Sequence, residues 1–301
     1  MIALADVETL CQRWFGAGPE DVEPLTIGTY NETMRVRLSS GDTIILRVGP
    51  AGDEGIDNGA EALVHASALG DLVPRTLALD SWGDRRVTAQ SVLPGSPASA
   101  RVPDFNDRQS RVYYRDLGRV TRLIHDVRGE SFGSVLHPGE SSWADAVTHR
   151  LEERISEFDD ASVDSRELRI LLAAVPAVRE QLDRAEPCLL HGDLWSLNIL
   201  LRENDTISGI VDWDAASWGD PVADWTIHRI RQRAGTVADA FWETYGELPE
   251  HSESRSIYAA ALNTSGSRLD IERRHLVLAE IPPEHWDLVP IVAALESLGL
   301  Q

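Results

Sequence analysis

The chain has 301 residues, 43% hydrophobic and 26% charged; this is an ordinary balance for a globular protein and excludes a chain disordered throughout. That length buries a sizeable core and sits where one core commonly divides into two lobes. The formal net charge of −21 argues against nucleic acid as a partner, because a polyanion would be repelled, while divalent cations and basic small molecules are attracted.

In chain order, Val7, Leu10, Cys11 and Trp14 recur at helical spacing, and Gly16 and Gly18 end that helix. A strand is expected around Leu25–Gly28, ahead of a β-hairpin. In the hairpin Met34, Val36 and Leu38 alternate with polar residues, Ser40-Gly41-Asp42 turns, and Thr43–Val48 runs apolar except for Arg47. A Gly/Asp-rich loop over 49–59 leads into a helix from about Gly59 to Leu69, followed by strands over Thr76–Asp80 and Arg86–Val92. The run Leu93-Pro94-Gly95-Ser96-Pro97 breaks the pattern and marks a hinge at about 90–97.

Beyond the hinge the periodicity is helical over roughly 106–127, 143–157 and 163–184. A hairpin over Asn198–Arg202 and Ile207–Val211 interrupts it, and helical segments continue to the C-terminus. The pattern predicts an α+β fold of two lobes with a cleft between them: a β-rich lobe over 1–93 and a mainly helical lobe over 98–301. Cys11 and Cys188 lie far apart without metal-ligand spacing and read as buried free thiols. No basic N-terminal stretch precedes a long apolar run, and nothing approaches the roughly 18 apolar residues of a membrane span. The expectation is a cytoplasmic protein with no membrane partner.

The residues that carry chemistry lie in Leu189-Leu190-His191-Gly192-Asp193-Leu194-Trp195-Ser196-Leu197-Asn198, followed by Gly209-Ile210-Val211-Asp212. An apolar strand delivers Asp193, a loop carries Asn198, and the far strand of a hairpin presents Asp212. Phosphoryl transfer needs such a set: one carboxylate to orient the attacking hydroxyl, and an amide oxygen with a second carboxylate to hold the metal on the phosphates. Hard oxygen donors suit Mg²⁺. The sequence contains no lysine, which rules out Schiff-base chemistry and a Walker-type phosphate loop.

His-Gly-Asp-x4-Asn with the later Ile210-Val211-Asp212-Trp213-Asp214 and Gly219-Asp220-Pro221 resembles the catalytic region of aminoglycoside phosphotransferases and their choline-kinase-like relatives. Those enzymes have a protein-kinase-like fold. The resemblance implies Asp193 as catalytic aspartate, Asn198 and Asp212 as metal ligands, and ATP or GTP as donor. Thr26–Thr33 falls where the family's nucleotide-covering loop lies, so Gly28 and Thr29 are nucleotide-binding candidates. Arg47 takes the position of the kinase lysine, and its planar fork can bind phosphate oxygens. Glu61, on the next helix, is the expected partner of Arg47, and Gln90, Ser91 and Leu93 are the expected contacts to the base.

His125 matches a histidine of the relatives and is read as structural, as is His191, which organises the loop. Asp220 reads as a helix N-cap ahead of Pro221. Trp195, Ser196, Asp214 and Trp218 are candidates for holding the acceptor, with Glu243 as a further one, and residues 226–301 are expected to shape its pocket.

The resemblance implies transfer to a hydroxyl of a polar, basic natural product or antibiotic. A metabolite kinase of the fructosamine, choline or homoserine type is the alternative; His-Gly-Asp-Leu-Trp-Ser is like fructosamine kinases, although those follow the metal aspartate with proline. A metal-dependent phosphohydrolase using Asp212 and Asp214 as an Asp-x-Asp pair ranks below both.

Overall fold

The computed structural model describes residues 2–25, 30–248, 252–274 and 287–297. Helix α1 (Leu4–Phe15) turns Val7, Leu10 and Cys11 inward and ends at Gly16, whose φ of 66° only glycine adopts without cost. A sheet follows, built from β1 (Pro19–Pro24), β2 (Glu32–Leu38), β3 (Thr43–Ala51), β4 (Thr76–Trp82) and β5 (Arg85–Ser91), with helix α2 (Gly55–His65) between β3 and β4. Its order is β1-β2-β3-β5-β4, antiparallel throughout. Met34, Val36 and Leu38 alternate inward against Leu10 and Cys11, as the period of two demands.

One boundary differs from expectation, and the strand expected around Leu25–Gly28 falls mostly outside the described residues. The first strand runs over Pro19–Pro24, with Val22 opposite Val36; prolines at both ends suit an edge strand, where an amide faces solvent. Residues 26–29, and with them Gly28 and Thr29, lie outside the described residues. Helix α2 begins at Gly55 rather than Gly59, because the Asp53 carboxylate accepts the Gly55 N–H at 2.8 Å and starts the turn early.

The rest of the chain is mainly helical. In order come β6 (Ser96–Pro97), α3 (Asp107–His125), β7 (Phe132–Ser134), β8 (Pro138–Glu140), α4 (Trp143–Asp160) and α5 (Arg166–Leu182). Then follow β9 (Cys188–Leu190), β10 (Ile199–Leu201), β11 (Ile207–Ile210), β12 (Ser217–Gly219), α6 (Trp225–Arg231), α7 (Trp242–Tyr245), α8 (Ser252–Arg274) and α9 (Val289–Ser297). Two small sheets, β11-β10-β6 and β8-β7-β12-β9, flank the segments that carry His191–Asn198 and Asp212. Helix α3 starts at a capping box in which Asn106 and Gln109 satisfy each other's backbone amides.

Three apolar cores hold these parts. One lies between α1 and the N-terminal sheet. A second packs α4, α5, α8 and α9 through residues such as Leu151, Phe158, Leu171 and Tyr258. The third sits under the catalytic segments and joins Tyr113, Leu117 and Ile124 of α3 to Leu189, Ile199, Ile210 and Trp213. Ala62 and Leu63 of α2 belong to this third core, so α2 is packed on the helical lobe although it lies within the sheet's stretch of sequence. In the Leu93–Pro97 run, Gly95 has φ 111°, and a Cβ there would lie 2.6 Å from the Leu201 carbonyl oxygen. Among the described residues no helix is long and apolar enough to cross a membrane.

Candidate active site

Strand β9 is fully buried, so its end fixes the position of His191-Gly192-Asp193. Gly192 takes φ 77°, and a Cβ would run into the Ala215 carbonyl oxygen, so only glycine lets the two loops meet. His191 is completely enclosed. Its ring sets Nε2 against the Val211 carbonyl at 3.1 Å, and its Nδ1 receives the Asp193 N–H at 3.3 Å. That pairing puts the proton on Nε2 and leaves the ring neutral. Burial pushes the His191 pKa down, against the opposing charges of Asp224 and Asp212. With both nitrogens engaged by backbone, this histidine shapes the loop.

Asn198 ties the site together. Its Nδ2 donates to the Asp193 carbonyl at 2.8 Å and to the Asp193 Oδ2 at 2.9 Å. Its backbone carbonyl accepts the Val211 N–H at 2.9 Å, one residue before Asp212. The amide nitrogen thus faces Asp193, which leaves Oδ1 as the atom for a cation. Asp212 itself sits at φ 66°, a left-handed conformation costly for a residue with a Cβ. Asp193, bonded to the Asn198 side chain, and Asp212, next to the Val211 held by the Asn198 backbone, are nineteen positions apart in sequence.

Beneath the loop lies a buried network the sequence only partly disclosed. Asp224 Oδ2 accepts the His191 N–H at 3.1 Å and meets His125 Nε2 at 3.1 Å, while His125 Nδ1 faces the Tyr245 hydroxyl at 2.8 Å. Asp224 Oδ1 caps α6 through the Thr226 N–H, and Thr226 Oγ1 donates to the Leu194 carbonyl. Burial pushes the Asp224 carboxyl up, but the His125 hydrogen bond and charge with the Thr226 amide pull harder and hold it below its ordinary range. Asp220 accepts the Val222 N–H as a cap, and it also receives Arg255 in a buried bidentate pair. Arg255 had no signal in the sequence: it stands on α8, thirty-five residues away.

Four sequence-based assignments are corrected. Glu61 does not partner Arg47; it is exposed, with His65 Nε2 at 3.5 Å. Arg47 turns instead to the catalytic segment, bonding Asp212 at 2.5 Å and Asp214 at 2.8 and 3.0 Å. Asp214 is therefore engaged by Arg47, and by Asn31 at 2.7 Å, and faces the sheet rather than an acceptor. Burial pushes the Asp214 carboxyl up; the Arg47 charge opposes this and the nearby Asp212 adds to it. Trp218 is buried in the core, edge-on to His65, with Gly129 directly beneath its ring, so it cannot stack on a ligand. Glu243 is likewise occupied by Arg111 and Arg115 of α3.

Other candidates stay open to solvent or hold the frame. Trp195 is 45% exposed two residues after Asp193, and Ser196 is half-buried with its carbonyl bonded to Ser99. Gln90 is buried on β5, Ser91 Oγ accepts the Arg75 N–H, and Leu93 lies over Gly209.

Helix α2 supplies residues that the sequence reading passed over. Asn58 is buried; its Nδ2 donates to the Asp214 and Ala216 carbonyls at 2.9 and 2.8 Å, and its Oδ1 accepts the Leu136 N–H. Gly59 follows, and a Cβ there would lie 2.5 Å from Asp214 Oδ1. Asp-Asn-Gly looks like a turn in sequence, which hid this bracing role. Gly59→Ala is expected to lower stability by about 1–2 kcal/mol, since overpacking outweighs the gain in helix propensity. Urea unfolding measures it; an unchanged or raised midpoint would show that Asp214 moves aside freely.

The fold has many counterparts among solved structures. A thermostable mutant of aminoglycoside phosphotransferase APH(4)-Ia, solved as a ternary complex with ADP and hygromycin B, is similar at TM-score 0.69 and 15% identity, over 97% of each chain. Macrolide 2'-phosphotransferase MphH from Brachybacterium faecium is similar at TM-score 0.60 and 21% identity, again over 97% of each chain. No curated protein sequence matches the chain significantly. The model of the phosphotransferase enzyme family (APH) matches residues 21–257. A match that takes in most of the chain shows the family: this protein belongs to the APH phosphotransferases and is a small-molecule phosphotransferase.

Proposed function

We propose that the enzyme moves the γ-phosphoryl group of ATP or GTP to a hydroxyl of a polar natural product or antibiotic. The observation that carries this reading is the Asn198 bridge, which joins the Asp193 carboxylate to the strand end bearing Asp212. Asp193 orients the attacking hydroxyl and takes up its proton. Arg47 offers its guanidinium to the phosphates. Asn198 Oδ1 and the Asp212 carboxylate would hold Mg²⁺, which when bound neutralises charge on the phosphates; both are hard oxygen donors of the kind it takes. Among the described residues no three His, Cys, Asp or Glu side chains form a metal cluster, so such an ion would rest on two protein groups, phosphates and water. The relative that holds ADP and hygromycin B supports a nucleotide donor and a small-molecule acceptor.

A basic acceptor accords with the net charge of −21. The phosphohydrolase reading is set aside, because Asp214 is occupied by Arg47 and Asn31.

The test is incubation with ATP or GTP against aminoglycosides, neutral glycoside antibiotics and primary metabolites, with mass spectrometry for a gained phosphoryl group. Transfer to a natural product is expected. Phosphorylation confined to choline, homoserine or glycated amines would replace the antibiotic reading with that of a metabolite kinase.

A further inference from the structure

The cation on β3 is anchored from an unexpected direction. Arg47 is 6% exposed and gives its two terminal nitrogens to the two oxygens of Asp214, which comes from the loop after β11. Helix α2, where an acid was expected, offers none: it presents Gly55 and Gly59, and a Cβ at Gly55 would lie 3.4 Å from the Asp214 Cβ. Asn58 grips the backbone of the same loop. Ala62 and Leu63 of the same helix pack into the core beneath the loop. Arg47 reaches Asp214 from the sheet.

The same guanidinium has a second contact. Its Nη2 lies 2.5 Å from Asp212 Oδ1, an oxygen assigned above to the metal. Burial works against the Arg47 charge, yet Asp214 and Asp212 more than compensate, so its pKa is raised and it stays a cation. A guanidinium and a divalent ion on one carboxylate repel each other in a partly enclosed site, so Arg47 in this place disfavours an ion on Asp212. The left-handed φ of Asp212 shows that the chain holds the carboxylate in this place at a backbone cost.

We propose that Asp214, supplied by the catalytic lobe, is the positioning residue for Arg47, and that Arg47 occupies the Asp212 carboxylate as a resident cation until nucleotide phosphates draw it away. With Arg47 in this place the free enzyme would have little affinity for a divalent ion until nucleotide is bound. The inference rests on Asp212 being the metal ligand of the proposed phosphotransfer.

Two binding measurements on the full chain test it. Mn²⁺ binding without nucleotide, followed by electron paramagnetic resonance, is expected to be weak in the wild type and at least about tenfold tighter in Arg47→Gln, where the competing charge is gone. Adding Asp212→Asn should abolish the gain. Separately, Asp214→Asn, which keeps the shape and the Asn31 contact, is expected to weaken binding of a fluorescent nucleotide by about tenfold or more. Asp214→Glu should recover part of that loss, and Glu61→Gln should lose nothing. Unchanged Mn²⁺ affinity in Arg47→Gln overturns the exchange, and equal losses in Glu61→Gln and Asp214→Asn overturn the anchor. A wild-type chain that binds no nucleotide would defeat the phosphotransfer reading instead, while the Mn²⁺ comparison still decides whether Arg47 blocks Asp212.

Discussion

Asp193→Ala is expected to reduce turnover by about a thousandfold or more while nucleotide binding stays within a few-fold of the wild type. In the proposed mechanism this carboxylate takes the proton of the attacking hydroxyl, so its removal deletes both the acceptor and the alignment it imposes. The nucleotide contacts are expected to survive. Arg47 and Asp212 lie on other elements, and Asn198 retains its second donation to the backbone carbonyl of residue 193. Asp193→Asn is the useful companion, since it keeps the shape and loses only the basicity. Single-turnover rates together with fluorescent-nucleotide titration separate the two effects. Turnover within tenfold of the wild type in either variant would remove Asp193 from the proton-handling role.

Arg255→Met is expected to be the most destabilising single change, at about 3–5 kcal/mol. Arg255 and Asp220 are 2% and 1% exposed and meet through two hydrogen bonds of 2.5 Å each. Truncating the arginine strands a buried carboxylate, which among the described residues keeps the Val222 amide as donor. The pair joins α8, and with it the second core, to the segment that leads from β12 to the Asp224 network. The urea midpoint measures the loss. The double variant Asp220→Leu with Arg255→Met should recover much of it, because an apolar pair of similar volume removes the stranded charge. A loss below about 1 kcal/mol in Arg255→Met would mean that Asp220 finds solvent or another partner.

Both predictions draw on the same construction, in which buried acids are each held by a specific donor and the catalytic loop is suspended from them. Asp224 shows it best. One carboxylate serves the His191 backbone, the His125 ring and the start of α6, so the loop's position is set by groups that never meet the nucleotide. Rigid support of this kind is what phosphoryl transfer asks for, since its catalysis is mostly alignment and charge.

What the amino-acid sequence determined by itself was local. The helix ended by Gly16, the alternation of Met34, Val36 and Leu38, the break at Pro94-Gly95 and the capping at Asp220 all follow from dihedral preference and periodicity within a few residues. Asp193, Asn198 and Asp212 could be singled out for a related reason: one short loop and one hairpin hold them within a short stretch of chain. Only the tertiary structure decided which charges pair. Arg47 and Asp214 are 167 positions apart, and Asp220 and Arg255 are joined through a helix that carries no motif. Glu61 was nearer in sequence to Arg47 and was passed over, because a helix with glycine at 55 and 59 comes close enough for the Asp214 backbone and side chain to take the place. Trp218 was lost as a ligand contact by the same logic, its ring being claimed by the core. A partner for a buried charge is chosen by packing distance and dielectric, which a linear pattern does not encode.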